Sequence, residues 1–161
     1  MYNTYKIFFS FFLTFIISVN SLYAQQSPSS AAKALKIKMK SMFIYQFAKN
    51  VYWPKAYTTG DFTIGIYGSE DLYNLLNTSF KDKMNGSQKI KFAFYESASD
   101  ISDCHLLFVS SEEEESIAAV KRGLNDKTLL VTEGKDLAST GSMINFIYIQ
   151  NRLKFQINKS K

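Results

Sequence analysis

The chain has 161 residues, of which 46% are hydrophobic, and its formal net charge is +5. This length suits one domain with a buried core that needs no disulfide to fold. The charge is too mild to indicate nucleic acid as a partner, while a single cysteine excludes an internal disulfide and a single histidine excludes a histidine-rich zinc site.

Residues 1–24 have the layout of a secretory signal. Lys6 places a positive charge near the start, residues 7–19 are almost wholly apolar, and the segment ends in the small residue Ala24. The apolar run is shorter than the roughly 20 residues that span a bilayer, and an uncleaved anchor is the alternative. We therefore expect the mature protein to begin near Gln25 and to work outside the cytoplasm, away from ATP, NAD and DNA.

A single domain is predicted over residues 25–161, opening with a long helix. Apolar residues recur at three-to-four spacing over residues 31–50, which predicts an amphipathic helix capped by Ser29 or Ser30. Pro54 lacks a backbone N–H and ends the helix before it. The four lysines at the start of this helix are interpreted as a solvated face. They are Lys33, Lys36, Lys38 and Lys40.

Strand and helix signals alternate along the middle of the chain. One strand, residues 105–110, is a nearly continuous apolar run, which is typical of a strand buried on both faces of a parallel sheet. Ser111 followed by Glu114 matches a capping box. The connection over residues 96–103 is short for a parallel crossover, so either a single helical turn bridges it or one strand runs antiparallel. The predicted strands are residues 62–67, 90–95, 105–110 and 128–132, and the predicted helices are residues 71–78 and 112–124.

The end of the chain has a different pattern. Residues 142–149 and Arg152–Ile157 are two predicted strands joined by Gln150 and Asn151, and apolar and polar residues alternate strictly in the second. Such alternation indicates a half-exposed strand. The whole pattern predicts an α/β fold, three-layered and Rossmann-like, with a mostly parallel sheet and a C-terminal antiparallel hairpin.

No catalytic constellation is visible in the sequence. Cys104 and His105 are adjacent, and neighbouring side chains of a strand point to opposite faces, so they should not form a nucleophile pair. The glycines of residues 65–68 lie where a phosphate loop would sit, but the two acids that follow would repel a phosphate and suit a helix start instead. The acids of residues 112–115 fan out around a helix and cannot converge on calcium. We predict no catalytic residue, no metal and no cofactor, with Cys104 a buried, unpaired thiol.

The remaining candidates for binding are aromatic residues near the end of the first helix. Trp53 mainly indicates closure of the core, and a pocket for a partner or ligand is the alternative. The candidate partner- or ligand-binding residues are Tyr45, Tyr52, Trp53, Tyr57 and, on the last strand, Arg152.

Besides a role in binding a protein partner, the sequence allows a function of a different class, that of a small-ligand-binding or hydrolytic protein. The general rule for open α/β sheets places such a site at the carboxyl ends of the strands. In this chain those ends fall near Gly68, Ser110, Ser111 and residues 132–134.

Five segments of the chain resemble the YfiR family, in the same order and with similar spacing, and together they span residues 33–158. The resemblance implies a small periplasmic α/β domain, often dimeric and without enzyme activity, that represses an inner-membrane diguanylate cyclase by binding its periplasmic region. It further implies an outer-membrane lipoprotein that relieves the repression, and related domains that serve as inputs of membrane sensor kinases. The segments are FIYQFAKNVYWP, FTIGIYGSEDLYNLL, CHLLFVSS, LLVTEG and TGSMINFIYIQNRLKFQIN.

The chain departs from the family pattern in two respects. Cys104 matches the family cysteine ahead of the apolar strand, but it has no partner for an internal bridge. The family chain usually continues past the last strand into another amphipathic helix, whereas this one stops at Lys161. We therefore expect an apolar face, or the edge formed by Arg152–Ile157, to be less covered or to be filled by another subunit.

Overall fold

A computed structural model describes residues 28–159, except for the side chains of residues 28–29 and 114–116. Residues 35–161 form one compact unit that contains every described strand. The interpretation of residues 1–24 as a signal concerns positions outside the described residues. None of the helices in the described part of the chain combines the length and hydropathy that a membrane span requires.

The described chain mixes helices and strands and ends in a β-hairpin. Three short 3₁₀ helices, at Lys55–Tyr57, Ala98–Asp100 and Ser111–Ser116, lie in the connections. The α-helices are α1 (Pro28–Asn50), α2 (Glu70–Phe80) and α3 (Ile117–Gly123), and the strands are β1 (Phe62–Tyr67), β2 (Met84–Asn85), β3 (Gln88–Tyr95), β4 (Leu106–Val109), β5 (Leu129–Glu133), β6 (Ile144–Ile149) and β7 (Arg152–Ile157).

All seven strands form one sheet in the order β2-β3-β1-β4-β5-β6-β7. The five central strands are parallel, and the edge strands β2 and β7 pair antiparallel with their neighbours. The parallel strands, numbered among themselves, have the order 2-1-3-4-5 of flavodoxin-like doubly wound sheets. The predicted fold class is therefore confirmed, including the C-terminal antiparallel hairpin.

Helices cover both faces of the sheet and bury two apolar layers. On one face, α1 and α2 pack against side chains such as Ile64, Phe108 and Phe146. On the other face, α3 packs against Leu107 and Val109. Every residue of β4 is buried, because the strand is covered from both sides, as its apolar run predicts.

Two helix starts differ from the sequence prediction. Helix α1 begins at Pro28, so the predicted caps Ser29 and Ser30 lie inside it. The predicted helix over residues 112–124 is α-helical only from Ile117, and its first part is a 3₁₀ segment with a kink at Glu113. The capping box is therefore misplaced. Ser110, one residue earlier, accepts the N–H of Glu112 on its Oγ at 3.1 Å and the N–H of Glu113 on its carbonyl at 3.0 Å, and this tight turn delays the α-helix.

Two connections agree with the sequence. The short link between β3 and β4 contains the single turn Ala98–Asp100, and both strands lie parallel to β1, so the first of the two alternatives is correct. The hairpin between β6 and β7 turns at Gln150 and Asn151, whose φ angles are 50° and 59°. Positive φ at both positions matches the twist of a two-residue hairpin.

Candidate functional site

Trp53 closes the core at the amino ends of the strands. Its ring is 9% exposed and meets Phe62 edge-to-face with 5.0 Å between centroids. Its Nε1 donates a hydrogen bond to the carbonyl of Ala48 at 3.0 Å. Both the apolar body and the polar tip of this side chain are therefore satisfied within the fold.

Backbone groups on both sides hold the ring of His105. Its Nδ1 accepts the N–H of Thr63 at 3.2 Å, and its Nε2 donates to the carbonyl of Tyr57 at 2.9 Å. The ring is 8% exposed and stacks on Phe62 with 4.3 Å between centroids. A carbonyl can only accept and an amide N–H can only donate, so the partners fix the tautomer and leave no nitrogen free for proton transfer.

Cys104 lies on the opposite face of the sheet from the His105 ring. Its side chain belongs to the apolar layer under α3, whereas His105 stacks on a residue of the α1 layer. Burial raises the pKa of the Cys104 thiol to about 12. The thiolate is the reactive form of cysteine, so this neutral thiol is a poor nucleophile at physiological pH.

The five candidate binding residues do not form one site. Trp53 and Tyr57 both approach the His105 ring, at 5.9 and 5.2 Å between centroids, on the amino side of β4. Tyr45 instead stacks between α1 and α2 on Phe80 at 4.4 Å.

The other two candidates are exposed and lie elsewhere. Tyr52 is 85% exposed, just after α1. Arg152 is exposed and pairs with Ile149 at the carboxyl end of β6, so it is at the opposite end of the sheet from Tyr57.

A glutamate side chain lies at the point where the strand order reverses. In doubly wound sheets the crevice at this point, between the carboxyl ends of β1 and β4, is where ligands bind. Here Gly68 follows β1 with a φ of 76°, and a Cβ atom at that position would overlap the side chain of Glu113. The glycine thus makes room for a carboxylate of the same chain, and that carboxylate disfavours an anionic ligand at this point.

A small cavity of about 280 Å³ lies at the carboxyl ends of β5 and β6. It is close to the region where the sequence placed the alternative site, but Gly68 does not line it. The residues around it are Ser111, Glu133, Gly134, Lys135, Phe146, Ile147 and Tyr148.

A buried ion pair stands beside this cavity and was not predicted. Lys40 Nζ lies 2.7 Å from Glu133 Oε2, and both side chains are 10% exposed. Lys40 was assigned to a solvated helix face, and the structure contradicts that assignment. The ammonium also lies 5.8 Å from the centroid of the Phe108 ring. No local sequence signal joins two residues 93 positions apart, so only the docking of α1 on the sheet reveals the pair.

Tyr148 extends the ion pair toward the surface. Its own burial, followed by the charge and hydrogen bond of Glu133, raises the pKa of the Tyr148 phenol. Lys36 lies over the ring, 4.6 Å from its centroid. The network joins α1, β5 and β6, and within the described residues every buried side-chain polar atom has a partner.

These observations define an α/β domain in which the conspicuous chemical groups are engaged in holding the fold. Among the described residues, no three metal-ligating side chains come together. The chain belongs to the YfiR/HmsC-like family, whose model matches residues 37–161. The search of curated proteins found no match to this chain.

Proposed function

We propose that this chain is a non-catalytic periplasmic regulator, exported by a signal peptide cleaved near Ala24. It binds the outer domain of an inner-membrane signalling protein and represses a diguanylate cyclase, so that it controls cyclic di-GMP. The observation that carries this proposal is the match to the YfiR/HmsC-like family over residues 37–161, a range that includes all seven strands.

The geometry of the domain supports a binding role over a catalytic one. His105 has both ring nitrogens in hydrogen bonds to backbone. Cys104 is buried as a neutral thiol. Glu113 places its side chain against Gly68, at the strand-order reversal where ligands bind in such sheets. Each group that suggests chemistry in the sequence therefore has a structural task.

Repression by binding is a shift of the partner between two states. To move a two-state partner from almost fully active to almost fully inactive, the regulator must prefer the inactive state by about 5.5 kcal/mol. A protein interface of roughly 1,200–2,000 Å² is sufficient for differences of this size. A sensor kinase is the alternative membrane partner, an outer-membrane lipoprotein is the proposed antagonist, and a homodimer is a compatible state of the free regulator.

Deletion of the gene tests the proposal through the cellular level of cyclic di-GMP. We expect the level to rise when the gene is deleted and to return when the full-length chain is supplied again. A deletion that leaves the level unchanged under several growth conditions contradicts the cyclase version of the proposal.

A second candidate function, binding of a small molecule, is favoured by one observation. The cavity beside Glu133 and Tyr148 lies at the carboxyl ends of parallel strands, where ligands bind in such sheets. A thermal-shift screen with metabolites tests it. A ligand that stabilises the protein, and whose effect is lost in Tyr148→Ala, which removes the phenol from the cavity wall, favours this candidate. A screen without a stabilising compound disfavours it.

A further inference from the structure

The charges of this chain are strongly segregated. All acidic residues lie between Asp61 and Asp136. Residues 35–50 of α1 and residues 142–159 of the hairpin contain no acid, and they contain seven basic residues. Only Lys40 among these forms a described salt bridge to a carboxylate, that of Glu133. Helix α1 and the hairpin therefore carry an excess of positive charge, which includes Arg152 and Lys154 of β7.

Strand β7 is an edge strand of the described sheet. Among the described strands it pairs only with β6, which leaves its other edge free. The N–H of Asn158 points toward β6 and donates to the carbonyl of Met143, the residue before β6, at 2.9 Å. Backbone direction alternates along a strand, so the N–H and C=O groups of Leu153, Phe155 and Ile157 point to the free edge. Among the described residues, nothing pairs with them.

Apolar side chains border the same edge. Phe155 and Ile157 are 38% and 60% exposed, on the sheet face that α1 covers. The Phe155 ring meets Phe43 of α1 at 5.5 Å between centroids. Phe155 and Ile157 thus form an exposed apolar strip of β7 beside α1.

The opposite face of β7 is basic. Arg152 and Lys154 alternate with the apolar residues and are exposed. An added strand would therefore meet apolar side chains on one face and positive charges on the other. The free edge, the apolar strip and the basic face are together called the β7 surface (Arg152–Ile157).

We infer that the β7 surface binds an extended segment of the signalling partner as an additional strand, and that acidic and apolar residues alternate in this segment. The inference rests on the proposed function, because it names how the partner is recognised. Main-chain hydrogen bonds give such strand addition its affinity, and alternate side chains give it specificity. Acidic residues would pair with Arg152 and Lys154, and apolar residues would cover Phe155 and Ile157.

Charge and hydrogen bonding favour a partner strand over two other occupants of the β7 surface, a second copy of this chain and an anionic membrane. A second copy would bring another basic β7 surface, and like charges facing each other are unfavourable. An anionic membrane would satisfy the charges, but its apolar interior offers no partner for the free backbone groups of β7. A protein strand of alternating acidic and apolar residues pairs with the charges, the free backbone groups and the exposed apolar side chains of β7 together.

The direct test uses a labelled, capped peptide of alternating Glu and Val and the exported, mature protein. We expect saturable binding by fluorescence anisotropy, and binding about tenfold weaker to the matching Lys–Val peptide. Ile157→Pro removes an outward N–H at a place where an edge strand tolerates proline. We expect it to weaken binding of the Glu–Val peptide about tenfold, because a strand hydrogen bond is lost and its partner is left unpaired.

Matched variants separate the contribution of the Ile157 N–H from that of the charges of Arg152 and Lys154. Ile157→Ala keeps the N–H and should bind more tightly than Ile157→Pro. The double variant Arg152→Glu with Lys154→Glu should reverse the preference, so that the Lys–Val peptide binds better. Absence of saturable binding to the Glu–Val peptide, or equal binding by the proline and alanine variants, overturns the inference.

Two further measurements test the other two occupants of the β7 surface, a second copy of this chain and an anionic membrane. Self-association of the wild-type protein in sedimentation that Ile157→Pro abolishes would assign the surface to a second copy and overturn the inference. Flotation with phosphatidylglycerol vesicles that persists in Ile157→Pro but is lost on charge reversal would assign it to a membrane and overturn it equally.

Complementation distinguishes failure of this inference from failure of the proposed function. If deletion raises cyclic di-GMP, Ile157→Ala should restore repression more fully than Ile157→Pro. If both variants restore repression equally, the proposed regulatory function is supported and the inference about the β7 surface is wrong. If deletion changes nothing, the proposed function itself fails, whatever the peptides do.

Discussion

The buried pair between Lys40 and Glu133 gives the sharpest test of how α1 is fixed to the sheet. The charged atoms are 2.7 Å apart and both side chains are 10% exposed. At an effective dielectric constant of about 20, the attraction at this distance is about 6 kcal/mol before desolvation is subtracted. Lys40→Met removes the cation and leaves the carboxylate of Glu133 buried, which should cost about 3–5 kcal/mol of unfolding free energy.

A double-mutant cycle separates the pair from its two members. We expect Lys40→Met combined with Glu133→Gln to be much less destabilising than the sum of the single variants, because neither charge is then buried alone. Urea unfolding followed by circular dichroism gives the unfolding free energy of the wild type, the two single variants and the double variant. If the dependence of this free energy on urea concentration is the same in all four, differences in midpoint report differences in stability. The matched control is Lys38→Met, since Lys38 is exposed two residues earlier on the same helix.

The outcome that contradicts this reasoning is additivity. If the coupling free energy is within about 0.5 kcal/mol of zero, the two charges are independent and water screens them in solution. A loss of unfolding free energy in Lys38→Met as large as in Lys40→Met would also contradict this reasoning. The loss would then come from a change in the helix and not from the Lys40–Glu133 pair.

Two further predictions concern Gly68 and Cys104. Gly68→Ala should destabilise by more than Gly60→Ala in urea unfolding. Both glycines have positive φ, which costs an alanine about 1 kcal/mol, but of the two only Gly68 faces a neighbour, Glu113, that an added Cβ would overlap. Adding Glu113→Ala should therefore remove the extra destabilisation of Gly68→Ala. Equal losses of unfolding free energy in Gly68→Ala and Gly60→Ala would contradict the overlap. Between pH 8 and 10 the unfolded thiol of Cys104 ionises, whereas burial raises its folded pKa to about 12, so stability should fall by about 1.5–2 kcal/mol more in the wild type than in Cys104→Ala. An identical pH dependence of the two proteins would show that the thiol is not protected in the fold.

Local patterns predicted the strands well, because each strand carries its own burial signal. The bounds of Phe62–Tyr67 and Arg152–Ile157 agree with the prediction, and the turn at Gln150 and Asn151 lies where the break in apolar residues placed it. Strand β2 was not predicted, since two residues paired beside a turn have no periodicity to detect. The start of the helix after β4 was misplaced, because two serines stand side by side and only the fold shows that Ser110 makes the capping contacts.

Contacts between distant segments were not predictable in this way. Lys40 resembles its solvated neighbours in sequence, and only the docking of α1 brings it to Glu133. Likewise, the segregation of charge is visible in the sequence, but it acquires meaning only when the sheet order makes β7 an edge strand. The absence of a catalytic set followed from residue types and remains a prediction that assays must test.

The most direct measurement for the proposed role is cyclic di-GMP in a deletion strain that receives the chain with or without residues 2–24. We expect the full-length chain to lower the level and the leaderless chain, retained in the cytoplasm at equal abundance, to have no effect. A leaderless chain that lowers the level equally well, or a full-length chain that never changes it, would contradict the proposal that this domain regulates a cyclase from the periplasm.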